Sequence, residues 1–144
     1  MNPGNVDILK FVQDNIFLIG VAFISGAMLV WPMVRRGGGG PSVGTVEAVQ
    51  LMNRQDAIVV DIRDAAEYAS GHILGARNLP AAELGARAGE LEKFKERPVI
   101  VACENGSRSG PAAASLRGKG FTQVVSLSGG IAAWKAASLP TEKA

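Results

Sequence analysis

The sequence predicts an α/β domain with a mainly parallel sheet, preceded by one N-terminal transmembrane helix. Short apolar runs typical of buried strands alternate with helical segments over residues 43–140, and this alternation is typical of a parallel sheet covered by helices. Residues 15–34 form an uncharged apolar run of 20 residues. As a helix this run would span roughly 30 Å, the thickness of the hydrocarbon core of a bilayer. The lipid bilayer is therefore an expected partner of residues 15–34.

The residues that flank the apolar run predict a retained anchor and its orientation. A cleaved signal peptide has a basic N-terminal region and a shorter apolar run. Here the N-terminal segment 1–14 carries one basic residue, Lys10, and the basic pair Arg35 and Arg36 follows the run. Trp31 lies near the end of the run, where interfacial aromatic residues collect. The positive-inside rule then places the N-terminus outside and the C-terminal domain in the cytoplasm.

A glycine-rich stretch separates this anchor from the domain. Four glycines and a proline follow the arginine pair, which predicts a flexible tether over residues 35–42. We expect the globular domain over residues 43–140 and a C-terminal tail over residues 141–144. The apolar runs predict strands at 57–62, 76–79, 99–102 and 123–127. Helical patterns lie at 45–52, 65–68, 82–94 with a break near Gly89, 112–117 and 131–137.

The most informative stretch is the predicted strand 99–102 with the loop and helix that follow it. The strand ends at Cys103, the only cysteine, and a small polar loop leads to a helix with Ser109 as its expected N-cap and Pro111 in its first turn. Backbone N–H groups in such a turn can form an anion-binding concavity at the positive end of the helix dipole. A cysteine at the edge of this concavity is expected to be a reactive thiolate rather than an inert buried thiol. Asp61 also ends a predicted parallel strand, so both residues are expected at one crevice.

Composition and charge argue against several other functions. The formal net charge is +2, and no run of basic residues is interleaved with aromatic residues, which argues against nucleic-acid binding. One cysteine cannot form an intramolecular disulfide framework, and the sequence has no Cys-x-x-Cys pair or Cys/His cluster that would bind a metal. A free thiol fits the reducing cytoplasm.

Three groups of residues together resemble the rhodanese (sulfurtransferase) family. The first is Asp61, Ile62, Arg63, Glu67, Tyr68, Gly71, His72, Ile73, Gly75, Ala76, Asn78, Leu79 and Pro80; the second is the six-residue loop from Cys103 to Arg108; the third is Leu127, Ser128, Gly129, Gly130, Ala133 and Trp134. The resemblance covers about residues 43–140. It implies a rhodanese-like three-layer domain with a mainly parallel five-stranded sheet flanked by helices. A membrane anchor on a single such domain resembles a bacterial subgroup of inner-membrane rhodaneses, so the expected location is the bacterial inner membrane.

The resemblance implies that sulfane sulfur is transferred through a persulfide on Cys103. The thiolate would attack the outer sulfur of a donor such as thiosulfate, release sulfite, and pass the sulfur to a thiol or to cyanide. A cradle of backbone amides would hold the persulfide, and its residues are Glu104, Asn105, Gly106, Ser107, Arg108 and Ser109. This chemistry needs no metal or organic cofactor. The expected partners are the sulfur donor, a thiol acceptor that could be a protein cysteine, and other inner-membrane proteins.

The side chains near the loop have different expected roles. Arg108 could steer an anionic donor or pin the loop to a carboxylate, and both alternatives stay open. Asp61 and Arg63 are expected to brace the loop. His72 is expected to be structural, because an ionised thiol needs no base. Glu104 leaves the loop side chains without net positive charge, which predicts weak activity with the thiosulfate dianion.

Two other functions stay open. A phosphatase or arsenate reductase of the related cysteine-loop type needs five residues between its cysteine and arginine, whereas four separate Cys103 from Arg108. A cradle must match its anion in size, so this alternative is disfavoured. A membrane-tethered domain could also act as a docking module for inner-membrane proteins, with little or no catalysis.

Overall fold

The computed structural model describes residues 7–37 and 40–144. The chain separates into two compact units, with the boundary between Gly37 and Gly38.

The N-terminal unit contains two consecutive helices that meet at Asn15. They are α1 (Ile8–Asp14) and α2 (Ile16–Gly37). Asn15 is the C-cap of α1, and its backbone N–H and its side-chain amide both donate to the carbonyl of Phe11, at 3.1 and 2.8 Å.

The prediction of a single transmembrane helix over residues 15–34 is not supported by this arrangement. Among the described residues, no single helix combines the length and the mean hydropathy expected of a membrane span. The pair formed by Ile8–Asp14 and Ile16–Pro32 meets these requirements together, with an angle of 79° between its helices. Helix α2 also extends through Gly37 into the predicted tether, and residues 38 and 39 of that tether lie outside the described residues.

The second unit is built on a five-stranded parallel sheet. Its strands are β1 (Ser42–Val43), β2 (Ile58–Asp61), β4 (Arg77–Asn78), β5 (Val99–Ala102) and β6 (Val124–Leu127), and a separate antiparallel pair joins β3 (His72–Ile73) to β7 (Thr141–Glu142). The order in the main sheet is β1-β6-β5-β2-β4. The register aligns Asp61 with Ala102, so the carboxyl ends of β2 and β5 meet at one edge. These strands confirm the predicted α/β domain and its parallel sheet.

Helices cover both faces of this sheet. They are α3 (Thr45–Gln55), α4 (Ala65–Ser70), α5 (Leu84–Arg87), α6 (Ser109–Gly118) and α7 (Gly130–Ala136), with 3₁₀ segments at Ala81–Glu83 and Ala88–Phe94. Val99 and Val101 pack with α5 and α6, whereas Ile100 and Ala102 pack with α3 and α7. Strand β5 is therefore buried on both faces, which accounts for its continuous apolar sequence.

The structure differs from the sequence prediction in two segments of this unit. The break predicted near Gly89 in residues 82–94 is present, because α5 ends at Arg87, but the residues that follow it form a 3₁₀ helix rather than an α-helix. Gly85 and Gly89 lower the α-helical propensity of this stretch. Residues 141–144, predicted to be a tail, instead contribute β7, which pairs with β3.

Candidate functional site

Cys103 lies at the carboxyl edge of the parallel sheet, directly after β5. Its side chain is 2% exposed, and the backbone N–H of Gly106 donates to its Sγ at 3.1 Å. Gly106 has a φ of +87°, which a glycine adopts without steric cost. The structure therefore places one backbone amide of the loop against the cysteine sulfur, as the sequence predicted.

The loop from Glu104 to Arg108 is held by its own side chains. Asn105 Oδ1 accepts hydrogen bonds from the backbone N–H and the hydroxyl of Ser107, at 3.1 and 2.7 Å. Ser109 Oγ donates to the carbonyl of Gly106 at 3.1 Å. The prediction that Ser109 is the N-cap is wrong by one residue, because α6 begins at Ser109 and Arg108 occupies the N-cap position.

Other amides of the loop have no acceptor in the part of the protein that the structure describes. Among the described residues, the backbone N–H groups of Glu104, Asn105, Arg108 and Ser109 donate to no protein atom. The Ser107 amide, which the sequence also assigned to the cradle, is used by Asn105. The loop therefore keeps several backbone donors for a bound anion, next to the positive end of α6.

The start of α7 supports the Cys103 loop through backbone hydrogen bonds. The backbone N–H groups of Ile131 and Ala132 donate to the carbonyls of Cys103 and Glu104, both at 2.9 Å. Gly130 has a φ of +59°, and a Cβ added there would lie against the Cys103 carbonyl oxygen and 2.8 Å from the carbonyl carbon of Glu104. A side chain at position 130 would thus push the loop away.

A buried ion pair braces the loop from the β2 side. Arg63 is 3% exposed and Asp61 is fully buried. The guanidinium donates to Asp61 through Nε and Nη2, at 2.8 to 3.1 Å, and to the carbonyl of Gly71 at 2.7 Å. Its Nη1 donates to Glu104 Oε2 at 3.0 Å. Arg63 therefore links the end of β2 to the residue that follows the cysteine.

The charges of Asp61, Arg63 and Glu104 do not cancel. Burial lowers the pKa of Arg63, but the hydrogen bonds and charges of Asp61 and Glu104 outweigh it and raise the pKa above its ordinary value. With Arg63 charged, the two carboxylates leave the three-residue cluster with one excess negative charge. The sequence prediction treated Glu104 as balanced by Arg108, whereas the structure pairs it with Arg63.

Arg108 has a different environment from Arg63. Its side chain is exposed, and within residues 40–144 it has no hydrogen bond or ion pair. The structure therefore does not support the alternative in which Arg108 pins the loop to a carboxylate, and the alternative of a free cation at the rim of the loop remains.

His72 and Trp134 have contacts that fix the fold. His72 Nδ1 lies 2.8 Å from the Tyr68 carbonyl, Nε2 lies 3.2 Å from Glu142 Oε1, and the ring stacks on Tyr68. Trp134 is buried, and its indole N–H donates to the Pro140 carbonyl at 3.0 Å. Neither side chain contacts the Cys103 loop through a hydrogen bond in the described residues.

The comparison with known protein families identifies this arrangement. The family model of the rhodanese-like domain matches residues 45–137, which include four of the five strands of the main sheet, the Cys103 loop and its supports. The chain belongs to the rhodanese family. The family resemblance seen in the sequence is thereby confirmed for the globular domain.

Two curated relatives and one solved structure show the extent of the similarity. The uncharacterized protein YibN of Escherichia coli K12 is 43% identical over 95 residues, which cover 65% of this chain and 66% of YibN, just under two thirds of its length. Thiosulfate sulfurtransferase GlpE of Pseudomonas putida GB-1 is 41% identical over 100 residues, 68% of this chain and 86% of GlpE. The rhodanese-like domain of the Anabaena sp. Alr3790 protein has a TM-score of 0.65 at 32% identity, over 72% of this chain and 80% of that domain.

Two features of this rhodanese site were missed by sequence reasoning. Gly129 and Gly130 were named only among the residues that carry the resemblance, whereas the close approach of Gly130 to the loop requires a residue without a side chain. Asp61 and Arg63 were expected to brace the loop, but the contact by which Arg63 does so, to Glu104 across 41 positions of sequence, was not predicted. The parallel register of β2 and β5 would have been the signal, because it places the residues after both strands side by side.

Proposed function

We propose that this chain is a membrane-attached sulfurtransferase that carries sulfane sulfur as a persulfide on Cys103. The observation that carries the proposal is the environment of Sγ: one amide, from Gly106, already donates to it, and four further amides of the loop have no acceptor among the residues that the structure describes. A second sulfur on Sγ would be an anion or a strong acceptor, and backbone donors next to a helix N-terminus stabilise such a group.

The first half-reaction loads the sulfur. The Cys103 thiolate forms a bond to the outer sulfur of thiosulfate, and the sulfur–sulfur bond of the donor breaks with its electron pair on the departing sulfite. The products are sulfite and the Cys103 persulfide anion, so atoms and charge balance without an external oxidant. The free amides of the loop are suited to stabilise the charge on the outer sulfur as it develops.

The second half-reaction transfers the sulfur from Cys103 to an acceptor. An acceptor thiolate attacks the outer sulfur of the protonated persulfide, the bond between the two sulfurs of Cys103 breaks, and the cysteine leaves as a thiolate. The acceptor departs as its own persulfide. Because the enzyme alternates between two covalent states, the kinetics should be ping-pong.

The charge next to Cys103 bears on the choice of donor. Asp61, Arg63 and Glu104 carry one net negative charge, the exposed Arg108 at the rim of the loop offsets it, and Glu104 is about half exposed. The site therefore offers a dianion such as thiosulfate no net attraction, and the exposed Glu104 carboxylate repels it more strongly than it repels a neutral or singly charged persulfide. We therefore propose weak but measurable activity with thiosulfate, and a persulfide as the preferred donor.

Membrane attachment is the second part of the proposal. Large apolar side chains are exposed along the N-terminal unit, and those of Phe17, Phe23 and Leu29 are each about 80% exposed. Helices α1 and α2 up to Pro32 together have the length and hydropathy of a span, and Arg35 and Arg36 follow. We propose that this unit attaches the domain to the bacterial inner membrane, with the domain in the cytoplasm. Reporter fusions at both ends of the chain test this orientation, and a periplasmic reporter signal at residue 144 would refute it.

Steady-state kinetics test the proposed reaction. Thiosulfate and cyanide are varied together with the full chain in detergent, and thiocyanate formation is measured. We expect parallel lines in a double-reciprocal plot, and loss of activity in Cys103→Ser. Intersecting lines, or activity that survives in Cys103→Ser, would refute the persulfide mechanism.

A further inference from the structure

The amino ends of the parallel strands carry an excess of basic side chains. Segments 53–57, 92–98 and 117–123 precede β2, β5 and β6, and the parallel register of these strands places the three segments at one edge of the sheet. The segments hold six basic and three acidic residues, and the side chain of Arg77 reaches them through Phe94. The seven basic residues, here called the basic edge, are Arg54, Arg77, Lys93, Lys95, Arg97, Arg117 and Lys119.

The remaining charges of the domain have the opposite sign. Outside the basic edge and its three acidic neighbours, residues 40–144 hold five basic and eight acidic residues, an excess of three negative charges. Asp61 and Glu104 belong to this acidic excess and lie beside Cys103, at the carboxyl ends of the strands. The charge of the domain is therefore separated along the strand direction, which gives it a preferred orientation in an electric field.

Most cations of the basic edge have no acidic partner. Among the described residues, Lys95 is the only one of the seven with an ion pair, to Glu92 at 2.6 Å. Arg117 donates through Nε to the Val124 carbonyl at 3.3 Å, and its Nη2 has no hydrogen-bond partner in the described part of the chain. The domain itself therefore leaves most of this positive charge without a counter-charge.

Three of these cations gather around one aromatic ring. Arg77, Lys93 and Arg97 lie 4.7, 5.1 and 5.2 Å from the centroid of Phe94. Arg97 is also held by the Asp56 carbonyl, to which its Nε donates at 2.8 Å. Any two of the three charges therefore lie within about 10 Å of each other, and an anionic partner relieves their mutual repulsion.

The chain enters the domain at the basic edge. Pro41 directly precedes β1, and its carbonyl accepts from the N–H of Ser126 at 3.1 Å. Gly40 lies against the guanidinium of Arg117. The sequence before Gly40 is the segment proposed above to attach to the membrane, so the bilayer is the anionic partner within reach of this edge.

We propose that the basic edge docks on the anionic headgroups of the bilayer to which the chain is attached. The inference rests on the proposed membrane attachment and adds the surface of the domain that faces the lipid. Each Lys or Arg near an anionic leaflet strengthens the attraction about fivefold, and the acidic part of the domain is repelled. Docking in this orientation leaves Cys103, at the opposite ends of the strands, open to the cytoplasm.

Two exposed positions that flank β6 report this orientation. Gln123 directly precedes the strand and Ser128 directly follows it. Gln123→Cys or Ser128→Cys is introduced into Cys103→Ser, so that each chain has one cysteine, and bimane is attached to it. The full chain is reconstituted into nanodiscs whose lipid headgroups carry a nitroxide quencher. Quenching then measures how close each end of the strand lies to the bilayer surface.

Lipid charge and salt test the docking without any change to the basic edge. In nanodiscs that contain phosphatidylglycerol, at low salt, we expect the label at position 123 to be quenched more than the label at position 128. This difference should disappear in phosphatidylcholine alone and at high salt, because salt screens exposed charges. Equal quenching at the two positions in phosphatidylglycerol, or a difference that is the same in both lipids, would refute the docking surface.

A pair of double variants tests which cations dock. Arg77→Gln with Lys93→Gln removes two exposed cations of the basic edge, and the equilibrium constant for docking should fall roughly 25-fold. Lys135→Gln with Lys143→Gln removes the same charge from exposed positions outside that edge. This control should change the constant less than about twofold, because charges beyond a Debye length from the surface are screened. An equal loss in the two double variants would refute the assignment to the basic edge.

Alkaline extraction separates this inference from the proposed attachment. The full chain in vesicles of phosphatidylcholine alone is washed with alkaline carbonate, which removes proteins bound only at the surface. We expect the chain to stay with the vesicles. A chain that stays but shows no lipid-dependent quenching would refute the docking alone, whereas a chain that is washed off would refute the attachment.

Discussion

The two sides of the Cys103 loop differ in how their arginines are used. On the β2 side, Arg63 is buried and donates to Asp61, to Glu104 and to the Gly71 carbonyl. On the α6 side, Arg108 is exposed, stands at the end of an apolar groove and has no ion pair among the described residues. Arg63 therefore has its partners within the protein, whereas the Arg108 guanidinium is free of partners in residues 7–37 and 40–144.

The two arginines therefore differ in role: Arg63 supports the Cys103 loop, whereas Arg108 is available to a ligand. A buried, fully paired guanidinium cannot bind a ligand without leaving Asp61 unpaired, so Arg63 can only position the loop. The exposed guanidinium of Arg108, beside the apolar groove, has no structural partner to lose among the described residues. We therefore expect substitutions on the β2 side to lower the free energy of unfolding, and substitutions on the α6 side to change the preference for substrate.

The largest expected effect comes from removing the buried arginine. Arg63→Met would leave Asp61 buried without its cation, and breaking such a pair costs about 3–5 kcal/mol of unfolding free energy. Arg108→Met should change the unfolding free energy by less than about 0.5 kcal/mol, as expected for an exposed site. Urea unfolding of both variants measures the difference. Equal effects from the two substitutions would remove the distinction between the two sides.

The support beneath the loop predicts the next largest effect. Gly130→Ala would place a Cβ against the carbonyls of Cys103 and Glu104 at a φ of +59°, and strained backbone of this kind costs about 1–3 kcal/mol before any shift of the loop. We expect lower unfolding free energy and slower loading of sulfur on Cys103.

Gly89→Ala is the matched control, because a Cβ at Gly89 meets no atom within 4 Å. Unchanged loading in Gly130→Ala would show that the start of α7 does not position the cysteine loop.

Glu104 tests the electrostatic connection between the two sides. Glu104→Lys changes the charge next to Cys103 by two units, so we expect the KM for thiosulfate to fall about three- to fivefold at low ionic strength, the scale of one exposed pair. Glu104→Gln should give an intermediate value. The effect should disappear at high salt, because salt screens exposed charges. A KM that is independent of both charge and salt would contradict the proposed cost of binding a dianion.

The smallest expected effect lies away from the loop, at Glu142. The N–H of Gly75 and then His72 stabilise its carboxylate and lower its pKa below the ordinary value of 4.5. A lowered pKa stabilises the fold above pH 4.5, and this contribution is lost as the pH falls through the lowered value. Glu142→Gln should therefore lower the Tm at pH 7, with a difference that shrinks in acid. Exposed Glu96→Gln is the control, and a Tm difference for Glu142→Gln that grows below pH 4 would contradict the assignment.

The part of the fold that depends on local pattern could be predicted from sequence. The continuous apolar run from Val99 to Ala102 and the turn at Cys103 gave the central strand and the start of the site, because burial on both faces leaves a clear signature. The link from Arg63 to Glu104 and the contact of Gly130 with the loop could not be predicted, since they depend on which strands and helices become neighbours. The pairing of Thr141–Glu142 with β3 was missed for the same reason.

The central claim is that Cys103 accepts one sulfur atom in a cradle of backbone amides, and intact mass spectrometry tests it most directly. The full chain is incubated with thiosulfate or with an organic persulfide, and its mass is measured before and after addition of a thiol. The account predicts a gain of one sulfur atom, located on Cys103, that the thiol removes and that Cys103→Ser does not show. A chain that gains no sulfur from either donor, or a Cys103→Ser chain that gains it equally, would contradict the account.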